Sequence, residues 1–469
     1  MRAFTILSAL VAGCFLLTFT LDVSQRKLTY PNKETIIYAS MWAPSEPMQQ
    51  AYRELFDEFE KEYPQYHVEA RWDGRWVLPA VRPRLLTGSD VPDLLAGEGE
   101  SWRILAEEGY ALQLDDVLKT AAHPDDAGQN LRAAYPEAFL ERFKLDGTTP
   151  VAPRKTAAAG LYAVPSGVYT TCIFYNKRHY AKLGLKLPKT WSEFLDNCEK
   201  LKQAGFAPIA ADRDVYAGMW SDFLLRRAVG EDTLKDTIEG KGPAFDVDPR
   251  YRAVFQAIRD LHKADYHMHG WEGSKWPAAQ RRWTQGEATH LICGSWIVRE
   301  TLNYNPSSDV FEMGAFPVPA LDTVDFGGAK AEPLGDPHGV DAGLTSHIIL
   351  KGGRCRTGAI ELLRFMSRRK SAEVLAKVGK DIPAVTGAKF PVELEEVRES
   401  FQSATTIYVK DVGTYAPKWA KFIWGDLYHD FFMASEPGEN GYMSVDEFLK
   451  KLQAKSKAYQ DAGGEEGIQ

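Results

Sequence analysis

The stretch that decides the fold is Gly160–Phe194, GLYAVPSGVYTTCIFYNKRHYAKLGLKLPKTWSEF. Tyr162, Val164 and the alternating run from Val168 to Tyr175 are strand-type residues, while Pro165 and Gly167 interrupt the pattern where the chain would bend. The segment therefore reads as a strand that leaves one lobe near Pro165 and enters another near Thr170. Behind it, Thr190-x-x-Glu193 forms a capping box. Trp191, Phe194, Leu195, Cys198 and Leu201 then fall on one helical face before Gly205 ends the turn.

Working outward, a chain of 469 residues is about three times the usual domain length, which predicts two lobes with separate cores. The 56 basic and 64 acidic residues are interspersed and leave a net charge of −8, so there is no footprint for nucleic acid. Twelve tryptophans, 20 tyrosines and 23 phenylalanines supply flat apolar faces of the kind that suit sugar rings, although most must belong to the core. Ala3 to Leu21 is apolar and uncharged, long enough to span a bilayer, and is followed by no small-x-small cleavage site. It reads as an export or anchor segment. Cys172, Cys198, Cys293 and Cys355 lie far apart without C-x-x-C spacing, which favours buried thiols over a metal site or a disulfide scaffold.

Towards the N-terminus, Ile36-Ile37-Tyr38, His67 to Trp72 and Pro92 to Ala96 read as strands separated by helices, the first helix opening behind Pro44-Ser45. This β-α-β-α order predicts a mostly parallel sheet covered by helices, with ligands beyond the carboxyl ends of the strands. Two loops stand there. Trp42 in Met41-Trp42-Ala43 is either a stacking face or a local lid, and Glu98 and Glu100 flank Gly99 ahead of a helix that such charges would favour. In the second lobe Ala207–Ala211 is a strand, Asp212-Arg213-Asp214 its terminal loop, and Tyr216 and Trp220 open the next helix. Trp220 is the better ligand candidate of the two, against a reading of both as core.

Ala288–Cys293 is a buried strand ending in the turn Gly294-Ser295-Trp296, which brings the indole to the cleft rim. In Leu334–Gly343, Asp336, His338 and Asp341 either bind a hydroxyl-rich or cationic ligand or form a hydrogen-bonded turn. Trp419 and Trp424 cannot share one helical face, so at least one reaches the cleft or the surface. The histidines at 262, 267 and 269 lack any familiar metal-ligand spacing. No phosphate-loop, dinucleotide, nucleophile-elbow or calcium-loop motif is present, and no cofactor is indicated.

The order of "YAVP, apolar strand, YNK, GL, P-K-T-W-x-E-F" resembles the extracellular solute-binding proteins, family 1, of ABC importers. So do Trp283-Thr-Gln-Gly286-Glu-Ala, Gly294-Ser-Trp296, Phe316-Pro-Val-Pro319, Ala359 to Phe365 and Ile382-Pro-Ala-Val385, which follow in the family's order. The resemblance spans roughly residues 35 to 460. It implies an α/β fold of the two-lobe periplasmic-binding-protein type II, maltose-binding-protein-like, with three hinge crossings. By this reading 1–32 is the signal or anchor segment and linker, 33–166 the first lobe, 167–335 the second, 336–368 a return to the first, and 369–469 helices that complete the second. The crossings are expected near Pro165, between Ala320 and Thr345, and near Arg368 to Ser371.

The resemblance further implies a non-catalytic, monomeric importer subunit that closes on a neutral mono- or oligosaccharide and delivers it to membrane permeases. It implies stacking of the sugar on Trp296, acids at Glu98 and Glu100 for sugar hydroxyls, and contacts around Asp212, Tyr216 and Trp220, with Trp42, Asp341 and Trp424 as further candidates. The family's Gly-Gly pair before the returning strand is replaced here by Leu334–Gly343. Val11-Ala-Gly-Cys14 resembles a lipobox whose cysteine is acylated, beside which an uncleaved helical anchor stands as the other reading. Both place the protein outside the cytoplasmic membrane. A secreted carbohydrate-active enzyme with paired carboxylates and a ligand-sensing partner of a membrane receptor are the competing functions.

Overall fold

A computed structural model describes residues 30–463, apart from 31, 148–149, 152–154, 214–215, 302–303, 305, 321–331, 404–405, 410–411, 435–437 and 439–440. The apolar segment at 3–21, Cys14 included, lies outside the described residues. Among the described residues no helix is long and apolar enough to cross a membrane.

The first lobe begins β1 (Glu34–Ser40), α1 (Pro47–Glu62), β2 (Tyr66–Trp72), α2 (Val77–Thr87), β3 (Leu94–Gly97), α3 (Ser101–Glu107) and reaches the crossing strand β4 (Val164–Tyr169). In α1, Met48, Tyr52, Leu55, Phe56 and Phe59 make the buried stripe that the periodicity predicts. Its start differs from expectation: the Ser45 hydroxyl turns back to the Pro44 carbonyl, and the helix opens at Pro47, whose fixed φ suits the first helical position.

The second lobe carries β5 (Thr171–Asn176), α4 (Lys177–Leu183), α5 (Trp191–Gln203), β6 (Ala207–Ile209), α6 (Tyr216–Val229), α7 (Pro249–Lys263), α8 (Ala278–Thr284), β7 (Ala288–Gly294), α9 (Ile297–Thr301) and β8 (Met313–Pro317). The Thr190–Glu193 capping box ahead of α5 makes both of its reciprocal bonds. The chain returns through β9 (Val340–Asp341), β10 (Gly343–Ile349), α10 (Arg356–Met366) and α11 (Arg369–Gly379), then ends with α12 (Glu395–Ser403), β11 (Ile407–Tyr408), a π-helical turn over Ala420–Tyr428 and α13 (Val445–Asp461).

Each lobe has one main sheet, ordered β2-β1-β3-β10-β4 in the first and β6-β7-β5-β8 in the second. In each, a single strand runs against the others: β10 is antiparallel to both β3 and β4, and β5 to both β7 and β8. The reason is the crossings. A strand arriving from the other lobe enters at the end where its neighbours finish, so Thr171 stands beside Gly294, the last residue of β7, and Gly343 beside Tyr169, the last of β4. The carboxyl ends of the remaining strands thereby face one cleft from both sides.

The third crossing comes later than expected near Arg368 to Ser371. Ala372, Leu375 and Ala376 of α11 are buried, α11 packs along α1, and Gly379 is so close to Met48 that a Cβ would lie 2.1 Å from its sulfur. Ile382 then bridges to Val168 and the Thr386 N–H donates to the Ala134 carbonyl at 2.9 Å, all within the first lobe. The chain reaches the second lobe at Val392–Leu394 and α12, where Glu396 accepts from the Ala315 N–H at 3.0 Å. Cys172, Cys198, Cys293 and Cys355 are free and buried, although Cys172 and Cys293 stand opposite one another on β5 and β7.

Candidate ligand-binding site

The crossing strand and the Gly294-Ser295-Trp296 turn are tied together. The Ser295 N–H donates to the Thr170 carbonyl at 2.9 Å, and the Thr170 N–H donates to Ser295 Oγ at 3.3 Å. The Trp296 indole folds back over Gly294, where a Cβ would meet the ring at 1.9 Å. Tyr169 lies in the same way over Gly343, again with 1.9 Å to an added Cβ. Glycine is thus required twice by the close approach of an aromatic ring. The two rings meet edge to face, centroids 5.3 Å apart at 71°.

Beside these rings opens a cavity of about 340 Å³ at the hinge, walled also by Thr171, Asp222, Arg226, Asp341 and Tyr408. Asp341 accepts from Thr170 Oγ1 at 3.0 Å and from the Thr171 N–H and Oγ1, both at 2.7 Å. Arg226 lies 3.8 Å from Asp341, pairs with Asp222 at 2.7 Å and stands 5.8 Å from the Tyr408 ring centroid. The next residue, Arg227, is buried and donates to the carbonyls of Val318, Pro319 and Gly339. Burial lowers its pKa to about 10, which leaves it charged at neutral pH. One turn of α6 therefore supplies a cation to the cavity wall and a clamp on the backbone entering the second crossing. An aromatic pair with convergent carboxylates, hydroxyls and a guanidinium can stack a flat ring and hydrogen-bond its substituents.

A sequence profile of the bacterial extracellular solute-binding proteins matches residues 42–373. The chain belongs to that family. Its members are non-catalytic binding receptors. It is 24% identical over 278 residues to an uncharacterised ABC transporter extracellular-binding protein of Pyrococcus horikoshii, covering 58% of each chain. It is 26% identical over 215 residues to the sn-glycerol-3-phosphate-binding periplasmic protein UgpB of Brucella abortus, covering 43% of this chain and 44% of that one. The match thus spans about half the length of these curated relatives. A chitin oligosaccharide binding protein shares the fold with a TM-score of 0.67 at 18% identity, over 91% of this chain and 99% of that one.

Among the described residues of this solute-binding protein, Trp296 and Asp341 are the two sequence candidates brought together in the cavity. Trp220 is not there. It is fully buried, 5.7 Å from Trp191 at 84° and 5.9 Å from Phe194, because the stripe of α6 that carries it faces the aromatic face of α5. Asp212 is buried too. Its carboxylate accepts from the Ala279 N–H and from the Ser274 hydroxyl, and so holds the first turn of α8. Glu98 pairs with Arg75 at 3.6 Å, and Glu100 with Arg142 and Arg103. Trp42 is buried after β1, with the guanidiniums of Arg75 and Arg299 4.8 and 4.7 Å from its ring centroid. The side chains of Tyr216 and Trp424 lie outside the described residues. Trp419 is buried and donates its indole N–H to Ser456.

Tyr169, Asp222, Arg226 and Tyr408 line this candidate site and are not among the residues that sequence reasoning singles out in this solute-binding protein. The spacing of Met219, Asp222 and Arg226 on one helical face, with an acid four residues before an arginine, was a usable signal. Tyr169 could have been found as the last residue of the crossing strand. Tyr408 could not, since only the pairing of β11 with β9 brings it to the hinge.

Proposed function

We propose that this protein is the substrate-binding component of an ABC importer, capturing a neutral mono- or oligosaccharide in the interlobe cleft and handing it to membrane permeases. The observation that carries the reading is the cavity at the hinge, where Trp296 and Tyr169 stand beside a wall that carries Arg226 and the carboxylates of Asp222 and Asp341. Relatives include a glycerol-3-phosphate-binding protein, but Arg226, the cation of this wall, already faces two carboxylates, Asp222 and Asp341. A phosphate dianion would meet net negative charge there, whereas sugar hydroxyls can donate to the carboxylates and accept from the guanidinium.

The test is a thermal-shift screen of neutral mono- and oligosaccharides beside sn-glycerol 3-phosphate, with chromatography of the recovered ligand. A ligand at 100 times its dissociation constant adds about 2.7 kcal/mol to stability. A shift with a neutral sugar that is recovered intact supports the proposal. A shift with glycerol 3-phosphate alone, or release of reducing ends, overturns it. Loss of uptake of that sugar on deletion of the gene separates import from sensing.

The same reading places the receptor on the outer side of the cytoplasmic membrane as a monomer attached through residues 1–21. Cys14→Ser distinguishes the attachment: lost anchoring means acylation, unchanged anchoring means the apolar helix. A wild-type chain wholly free of membranes contradicts both.

A further inference from the structure

Arg299 belongs to the second lobe, in the short helix one turn beyond Trp296, yet its guanidinium makes its described contacts with the first. It pairs with Asp381 at 3.2 Å and stands 4.7 Å from the Trp42 ring centroid. Asp381 is buried and follows α11 on the first lobe, with its carboxylate against Gly167 of the crossing strand, where an added Cβ would lie 2.2 Å from its oxygen. Trp42 ends the neighbourhood of β1 and is held from its own lobe by Arg75. Glu300, beside Arg299, is likewise turned to this boundary: it accepts from Gln280 of α8 and lies within the field of Arg75 and Glu46 of the first lobe. A buried carboxylate and an indole face together form a receptacle suited to a planar cation, since the first supplies charge-assisted hydrogen bonds and the second a negative π-face. Arg299 fills it from across the cleft.

We propose that Arg299 is a latch between the lobes, a positioning residue that favours the closed arrangement by docking into the Trp42–Asp381 receptacle whether or not ligand is bound. Trp42 then serves as the dock of the latch and not as a sugar platform. The inference rests on the two-lobed receptor reading but not on the identity of the ligand, and its test uses none. Ligand capture is assisted because the lobe that holds Trp296 is already drawn towards its partner, so less of the ligand's binding energy goes into closing the cleft.

The experiment measures the distance between the lobes in unliganded, purified protein by electron–electron double resonance. Spin labels are placed on Lys61→Cys in the first lobe and Lys235→Cys in the second, both exposed positions; the described native cysteines are buried. Arg299→Gln should shift the distribution to longer distances, with the radius of gyration from small-angle scattering rising in step. Asp381→Asn should act in the same direction, and the double variant should add little to either single one. Arg299→Lys keeps the charge but gives up the planar stack on Trp42, and should fall between wild type and Arg299→Gln. It also serves if Arg299→Gln does not fold. Distributions of the folded variants that superimpose on wild type overturn the proposal, and they do so even if a sugar is found to bind. Failure of every sugar to bind would leave the latch standing and remove the functional reading alone.

Discussion

Trp220 and Trp296 both follow the ends of second-lobe strands, and the structure gives them opposite surroundings. Trp296→Ala should lower affinity for the captured sugar by about 1–3 kcal/mol, the range for loss of an aromatic stacking platform, with an unchanged melting temperature. Calorimetric titration reads it. Trp220→Ala should instead cost about 3–5 kcal/mol of stability in urea unfolding, as expected for a fully buried indole packed on Trp191 and Phe194. Gly294→Ala should reproduce the binding loss of Trp296→Ala without removing the ring, because a methyl group 1.9 Å from the indole must displace it. Trp296 was legible in the sequence because its glycine and its turn are neighbours in the chain. The burial of Trp220, and the commitment of Asp212 to the first turn of α8, depend on partners about 30 to 70 residues away in sequence, which no local pattern contains.

Helix starts show the same division between local and distant causes. The capping box at Thr190 needs only its own four residues, so it was read correctly. Thr190→Ala should cost about 1 kcal/mol, measured as a lower urea midpoint with an unchanged slope. The late third crossing was not legible, since the apolar face of α11 says only that it must be buried, and α1 of the first lobe supplies the partner. The segment carrying Trp419 and Trp424, whose spacing is read on a helical face, contains a π-helical turn at Ala420–Tyr428, a change of hydrogen-bond register that periodicity does not resolve. The strand that decides the fold was legible for a different reason. Its run of apolar residues is too long for one lobe, but Pro165 and Gly167, where the bend is expected, lie inside β4 opposite a register shift in β10, and the crossing itself comes at Thr170, between β4 and β5.

At the scale of the molecule, the two sheets share one habit of burying neutral histidine. His290 is held between Tyr180 and the Pro208 carbonyl, His347 between Tyr38 and Tyr52, and burial lowers both to about 3. Their ordinary value is about 6.5, so the unfolded chain takes up these protons first. The stability each contributes is complete above pH 6.5 and falls as pH drops towards 3, by about 1.4 kcal/mol per pH unit per histidine. His347→Gln should therefore flatten the fall of the urea midpoint between pH 6 and 4 by about one proton's worth. Lobe architecture and the position of the first hinge strand could be read from order and periodicity, but the contact across the cleft, Arg299 to Asp381, and the one at the hinge, Arg226 to Asp341, link segments about 80 and 115 residues apart and became visible only in the fold. The most direct test of the central claim, that ligand is gripped between two hinged lobes, is small-angle scattering from wild type and Arg299→Gln with and without the neutral sugar giving the largest thermal shift. The radius of gyration should fall at saturation, modestly in wild type and further in the variant. An unchanged radius in both, with the sugar bound, would contradict it.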